Sequence, residues 1–276
     1  MSNNQKQQVV ALLKSIETGE SQPMSVINPQ YYTQHNLGAA DGLAGVEALL
    51  QLLPPRSARV QTIRVFQDGA FVFTHTDYDF FGPKIGFDIF RFEEGLIVEH
   101  WDNLQETPSV PNPSGHTMID GPTTAADLEQ TEPNKQVVRA FVEEVLVNGK
   151  LDKLAGSFDG DRYLQHNPQI GDGLSGLGQA LEVWAKHAIT MKYDQIHQVL
   201  GEGNFVLVVS EGRLGGNHSC FSDLFRVERG RLWNTGIRLK RFLPGTSGRT
   251  ATANSSFHFM EMRGKRRKTL TMEDGK

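Results

Sequence analysis

The sequence predicts an α+β chain made of two tandem copies of one domain, each with N-terminal helices packed on a curved, mostly antiparallel sheet. Three observations predict it. Helical periodicity comes first, strand-like alternation follows, and the series then restarts after a Pro- and Gly-rich stretch. Four short segments recur in one order at a near-constant offset. Turn dipeptides such as Asp68-Gly69 and Glu94-Gly95 separate the strand-like runs.

The elements follow in order. Residues 6–18 read as a helix, because Val9, Val10, Leu12, Leu13 and Ile16 recur at helical spacing and Gly19 stops it. INPQYYTQHN (27–36) is a short segment leading into the turn-rich LGAADGLAG (37–45). A second helix is expected over 46–53, ended by Pro54 and Pro55. Strands are expected over 61–67, 70–79, 86–92 and 96–104. Pro, Gly, Thr and Glu dominate 105–133, which reads as a linker.

The second series echoes the first. KQVVRAFVEEVL (135–146) is a helix; YLQHN (163–167) repeats YTQHN (32–36); DGLSG repeats DGLAG; and DLFRVERG (223–230) repeats DIFRFEEG (88–95). His166 and Asp172 keep the separation of His35 and Asp41. The expected layout is a first domain over 1–110, a linker over 111–133, a second domain over 134–244 and a disordered tail over 245–276.

Composition narrows the function. The formal net charge of -4 argues against a nucleic-acid partner. No apolar run is long enough for a membrane span. Cys220 is the one cysteine, so no intrachain disulfide and no cysteine metal site are expected. MSNNQKQQ lacks a signal-peptide core, and a cytoplasmic location is expected.

The chemistry concentrates in DIFRFEEGLIVEHWD (88–102). Strict alternation puts Val98, His100 and Asp102 on one face and Ile97, Glu99 and Trp101 on the other. A His/Asp pair on one face either points acid/base chemistry into a pocket or decorates a solvated surface. His75, Asp77 and Asp79 either line the same cavity or form a solvated strand face. Asp88 and Arg91 recur as Asp223 and Arg226, which suits structural pairing.

The second copy departs after Gly230, where RLWNTGIRLKRFLPG replaces LIVEHWDNLQETPS. Synonymous codons for this stretch, read one base out of frame, spell IVEHWDTAKEIPA. A one-base deletion near the Arg231 codon is therefore expected, with Leu232 to Leu239 surviving as a degraded last strand. The basic run RGKRRK is then an out-of-frame accident.

QHN, DGLAG, DIFRFEEG and IVEHWD together resemble SnoaL-like proteins of the nuclear transport factor 2-like superfamily, in the polyketide-cyclase and predicted aldol-condensation group. The resemblance covers nearly all of 5–110 and 134–230. It implies a cone-shaped α+β domain that dimerises through its sheets, which a tandem chain would satisfy as an intrachain pseudo-dimer; homo-oligomers stay open. It also implies cofactor-free, metal-free removal of a proton next to a carbonyl, leading to aldol-type cyclisation or isomerisation of a small polyketide-like molecule. Asp102 would be the base, with His100 and His35 as catalytic partners. Tyr32, His75, Phe90 and Trp101 would bind substrate. The second copy has Val209 where the first has His75, so its pocket is expected to be inactive and to cover the sheet of the first. The alternative is a non-catalytic module of the same fold, stress-related or holding a small apolar ligand.

Overall fold

Each half of the chain folds as helices followed by a five-stranded sheet, and the strand order is the same in both. The computed structural model describes residues 2–36, 38–54 and 56–241, without the side chains of 2, 3 and 237–241. The expected tail over 245–276 lies outside the described residues. The first half comprises α1 (Ser2–Thr18), β1 (Thr33–Gln34), α2 (Leu43–Leu50), β2 (Arg59–Asp68), β3 (Phe71–Asp79), β4 (Pro83–Glu93) and β5 (Leu96–Glu106). The second comprises α3 (Thr131–Phe141), continued by a π-helical turn Val142–Val147, then β6 (Leu164–Gln165), α4 (Gly173–Lys186), β7 (Met191–Glu202), β8 (Phe205–Leu214), β9 (Asn217–Glu228) and β10 (Arg231–Arg241). The sheets are ordered β1-β5-β4-β3-β2 and β6-β10-β9-β8-β7. In each, the two-residue strand pairs parallel and the rest pair antiparallel. No described helix is long and apolar enough to cross a membrane.

Alternation along the strands gives each sheet two buried faces. In the first half Val9, Leu12 and Leu13 of α1 pack with Val72, Tyr78, Phe90, Phe92 and Ile97 on the helix-facing side. The opposite side carries Phe71, Phe73, Phe87 and Ile89, which pack on Phe205, Leu207 and Leu224 of the second sheet. The two sheets therefore face each other across one apolar layer. Asn103 Nδ2 donates to Ser222 Oγ across it (2.9 Å), and Lys6–Glu202 and Lys135–Asp68 pairs, both 2.7 Å, border it.

A β-bulge corrects the expected alternation. The register of β4 with β5 runs Arg91↔Glu99 and then Phe92↔Ile97, leaving Val98 as the extra residue. Ile97 thus joins the helix-facing core with Phe90 and Phe92, on the side of His100. The second half bulges at the matching place, between Leu232 and Asn234.

The loop after each two-residue strand is also built twice. Asp41 Oδ1 accepts from Gln34 N (2.9 Å), and Asp172 Oδ1 accepts from Gln165 N (2.8 Å). Gly42, at φ 79°, starts α2 directly after Asp41, three residues earlier than the expected 46–53. A Cβ on Gly45 would lie 2.0 Å from Ala40 O, and one on Gly176 would lie 2.3 Å from Gly171 O. Backbone cannot yield at that distance without moving the helix start. Gly176→Ala is expected to lower stability by about 1–3 kcal/mol in denaturant melts.

The stretch read as a linker is a packed strap. Residues 107–127 run from β5 onto the second half. Asn112 Nδ2 donates to Gln165 O (2.6 Å) and Ile170 O (3.0 Å), Ser114 Oγ accepts from Asp172 N (2.8 Å), and Asn204 N donates to Ala126 O (2.8 Å).

Candidate functional site

The expected site residues divide between the two faces of the first sheet. On the helix-facing side, β4 and β5 bring Asp88, Phe90, His100 and Asp102 together, with Asp88↔Asp102 and Phe90↔His100 as register partners. His100 stacks on Phe90 (4.5 Å between centroids). Its Nε2 meets Asp88 Oδ1 (3.1 Å) and its Nδ1 meets Gln34 Oε1 (2.8 Å). An amide oxygen only accepts, so Nδ1 carries a proton. Tyr78 donates to Asp88 Oδ2 (2.6 Å), and Gln34 Nε2 donates to Tyr32 Oη (3.1 Å). Asp102, half-buried, accepts a short hydrogen bond from Asn36 Nδ2. Burial, followed by the nearby Asp102 and Asp88 charges, pushes the Tyr32 hydroxyl well above the usual phenol range.

His35, His75 and Trp101 lie on the other face, towards the second sheet. The short β1 points Gln34 at His100, so the next residue points away. His35 stacks flat on Trp101 (4.8 Å, 4°), and its Nε2 meets Glu99 Oε1 (3.0 Å). Arg91 Nε donates to Glu99 Oε2 (2.7 Å). Burial alone would raise the Glu99 carboxyl, but hydrogen bonds from His35 and Arg91 outweigh it and hold it below its ordinary value. His35 Nδ1 is buried and has no hydrogen-bond partner. His75 stacks on Phe87 (4.6 Å) and accepts at Nδ1 from Arg64 Nη1 (3.1 Å). Asp77 meets Arg59 (3.0 Å). The three catalytic candidates therefore do not form one site: Asp102 and His100 share a face, and the sheet stands between them and His35. His75 and Trp101 cannot touch a substrate held by Asp102 for the same reason. Among the described residues, His35, His75, His100 and Asp102 do not come together as a group that could hold a metal ion.

The second half repeats the sheet-facing cluster with altered chemistry. Asn234 occupies the register place of Glu99, Thr235 that of His100 and Gly236 that of Trp101. Arg226 Nε and Nη2 donate to Asn234 Oδ1 (3.1 and 2.9 Å), which turns Asn234 Nδ2 towards His166 Nε2 (2.9 Å). His166 Nε2 must accept, so its proton sits on Nδ1. In the first half Glu99 can only accept, so the proton sits on His35 Nε2. The two matching histidines carry opposite tautomers.

His166 also meets the strap. Its Nδ1 lies 3.0 Å from Thr117 O and 2.7 Å from Asp120 Oδ1. His116 stands between Asp120 (3.3 Å) and Asp172 (3.0 Å). Burial works against its charge, yet the two carboxylates raise its pKa overall. Beside Gly236 lies a cavity of about 30 Å³, lined by Arg64, His75, Phe87, Met118, Asp120 and His166 among others. It has room for about two waters. Arg64 enters it with its donors on the carbonyls of Pro122, Ile119 and Asp120, and burial lowers its pKa to about 10. The sequence reading missed His116 and Asp120; a His/Asp pair four apart inside a Pro/Gly-rich stretch was the available signal.

No protein-family model matches the chain, and no curated protein matches it. Similar solved structures include TsrD from Streptomyces laurentii, at 17% identity and a TM-score of 0.31 over 36% of this chain and 86% of that one. An NTF-2 like protein of unknown function from Burkholderia xenovorans LB400 is 16% identical, with a TM-score of 0.33 over 38% and 85%. An LEH-like epoxide hydrolase from M. tuberculosis is 20% identical, with a TM-score of 0.31 over 40% and 85%.

Proposed function

We propose that the chain is a cofactor-independent SnoaL-like enzyme, a tandem duplication working as an intrachain pseudo-dimer, in which only the first half is catalytic. One observation carries this reading: Asp102 sits half-buried on the helix-facing side, in register with Asp88 and beside His100 and Tyr32. Asp102 would take a proton from carbon next to a carbonyl, and the C–H electron pair would pass into an enolate. The enolate then attacks a second carbonyl, closing a ring, or is reprotonated at another carbon. Asn36 orients the carboxylate, while the Asp88–His100–Gln34 chain fixes the wall behind it. A small polyketide-like carbonyl compound suits this chemistry.

A second reading has its own support. Asp88, His100, Gln34 and Tyr78 satisfy one another while buried, as a structural network does. The chain would then hold a small apolar ligand without turnover. Solvent deuterium exchange into a small β-dicarbonyl, followed by NMR, separates the two. Asp102→Asn is expected to slow that exchange by about a hundredfold or more. Wild-type protein that binds the probe but exchanges no faster than buffer would overturn the enzymatic reading.

A further inference from the structure

We propose that His116, Asp120 and His166 form a divalent transition-metal site that pins the strap to the second half. One ligand atom from each lies within 4.8 Å of the other two. A bound ion would draw each of these atoms to about 2.0–2.2 Å. The imidazole nitrogens nearest Asp120 are both Nδ1. A second observation is independent of this spacing. Asp120 Oδ1 stands 2.7 Å from His166 Nδ1 yet is buried without a hydrogen bond, because the Nδ1 hydrogen bond runs to Thr117 O. The 2.7 Å contact is an ion-pair distance, and it leaves a buried carboxylate oxygen without a hydrogen bond beside an imidazole nitrogen, a pair that can open by a few tenths of an ångström to take an ion. The other nitrogen of His116 is backed by Asp172 (3.0 Å), the carboxylate support that metal-bound imidazoles use. His116 and Asp120 keep 29% and 39% of their side-chain surface exposed, so an ion can enter from solvent. Two imidazoles and one carboxylate suit zinc, cobalt or nickel and leave a coordination position for water.

His166 opposes binding in a defined way. Asn234 Nδ2 faces its Nε2, so the metal-free chain keeps the proton on Nδ1, the ligand atom. To bind, that proton must move to Nε2, and the Asn234 amide must turn over against Arg226. The first half shows what would remove this opposition. There the carboxylate of Glu99 accepts from both Arg91 and His35. Asn234→Asp would offer His166 Nε2–H and Arg226 the same shared acceptor.

The full chain, free of any affinity tag, is titrated with Zn²⁺ by calorimetry and with Co²⁺ by its visible absorption. One equivalent is expected to bind. Asp120→Asn and His116→Ala, both on the partly exposed strap, should each weaken binding by about tenfold or more, and Asn234→Asp should tighten it by about tenfold. Far-ultraviolet circular dichroism confirms that each variant is folded. Binding untouched by either strap variant overturns the proposal, as does absence of binding at millimolar metal. Loss on His218→Ala instead would place the ion at the His197–Glu211–His218 cluster and overturn it equally.

Discussion

Replacing Glu99 with alanine is expected to destabilise the first half by about 3–5 kcal/mol, the cost of removing one partner from a buried ion pair. Glu99 is 2% exposed and is the shared acceptor of Arg91 and His35. Without it, the His35 Nε2–H loses its acceptor while Nδ1 already lacks a donor. Arg91 keeps Glu93 at the surface (3.3 Å). Glu99→Gln should cost much less, because an amide still gives Arg91 an acceptor, as Asn234 gives Arg226. The amide would also turn its NH₂ towards His35 and move the histidine proton from Nε2 to Nδ1. Urea melts read the stability of both variants, and ¹⁵N chemical shifts of the ring read the tautomer. An Nε2–H tautomer in both wild type and Glu99→Gln would refute the control assigned to residue 99.

The second half is expected to lose about 4 kcal/mol of stability as pH rises from about 4 to about 7. The source is Asp223, fully buried, whose pKa burial lifts from 3.8 to about 7 against the opposing hydrogen bond from Tyr193. The sign follows from proton counts. Between these values the folded carboxyl keeps its proton while the unfolded one has released it, so raising the pH favours unfolding. The contribution is fully present below the unfolded value and gone above the folded one. The first half answers the same burial differently: Asp88 has His100 at 3.1 Å, and the register puts Thr235 in the matching place. Asp223→Asn should flatten the stability difference between pH 5 and pH 8 measured by denaturant melts. Thr235→His should flatten it too, by supplying a cation for the ionised carboxylate. An unchanged slope in Asp223→Asn would show that another group sets it.

The α+β class and the paired strand series were readable from the chain because long strands carry period-two patterns and glycine turns mark their ends. QH and D(I/L)FR fall at matching places in the two sheets, and DGL opens the helix that follows the two-residue strand in each half. The separation of His100 and Asp102 from Glu99 and Trp101 was readable from alternation, but the faces of Ile97 and His35 were not. One extra residue at Val98 resets the alternation of β5, and nothing in the local pattern announces a bulge. β1 has two residues, too few for any period, so the side on which His35 falls is set by pairing with β5 alone. Val209 opposite Ser222, in the place of His75 opposite Phe87, was correctly anticipated by alignment. The strap escaped because Pro, Gly and Ser look alike in a free connector and in one held by its backbone.

That strap has a consequence for where the chain can be divided. Composition places the seam before residue 134, yet the groups that meet His166 and Asp172 lie at 112–120. A fragment beginning at 134 would leave the 165–172 loop without its cover, and a fragment ending at 110 would discard the cover altogether. A second unit that keeps this cover has to begin near residue 107. A chain with two matching loops and one connector is thus handed: it cannot be cut into equal pieces, however alike its halves are in sequence.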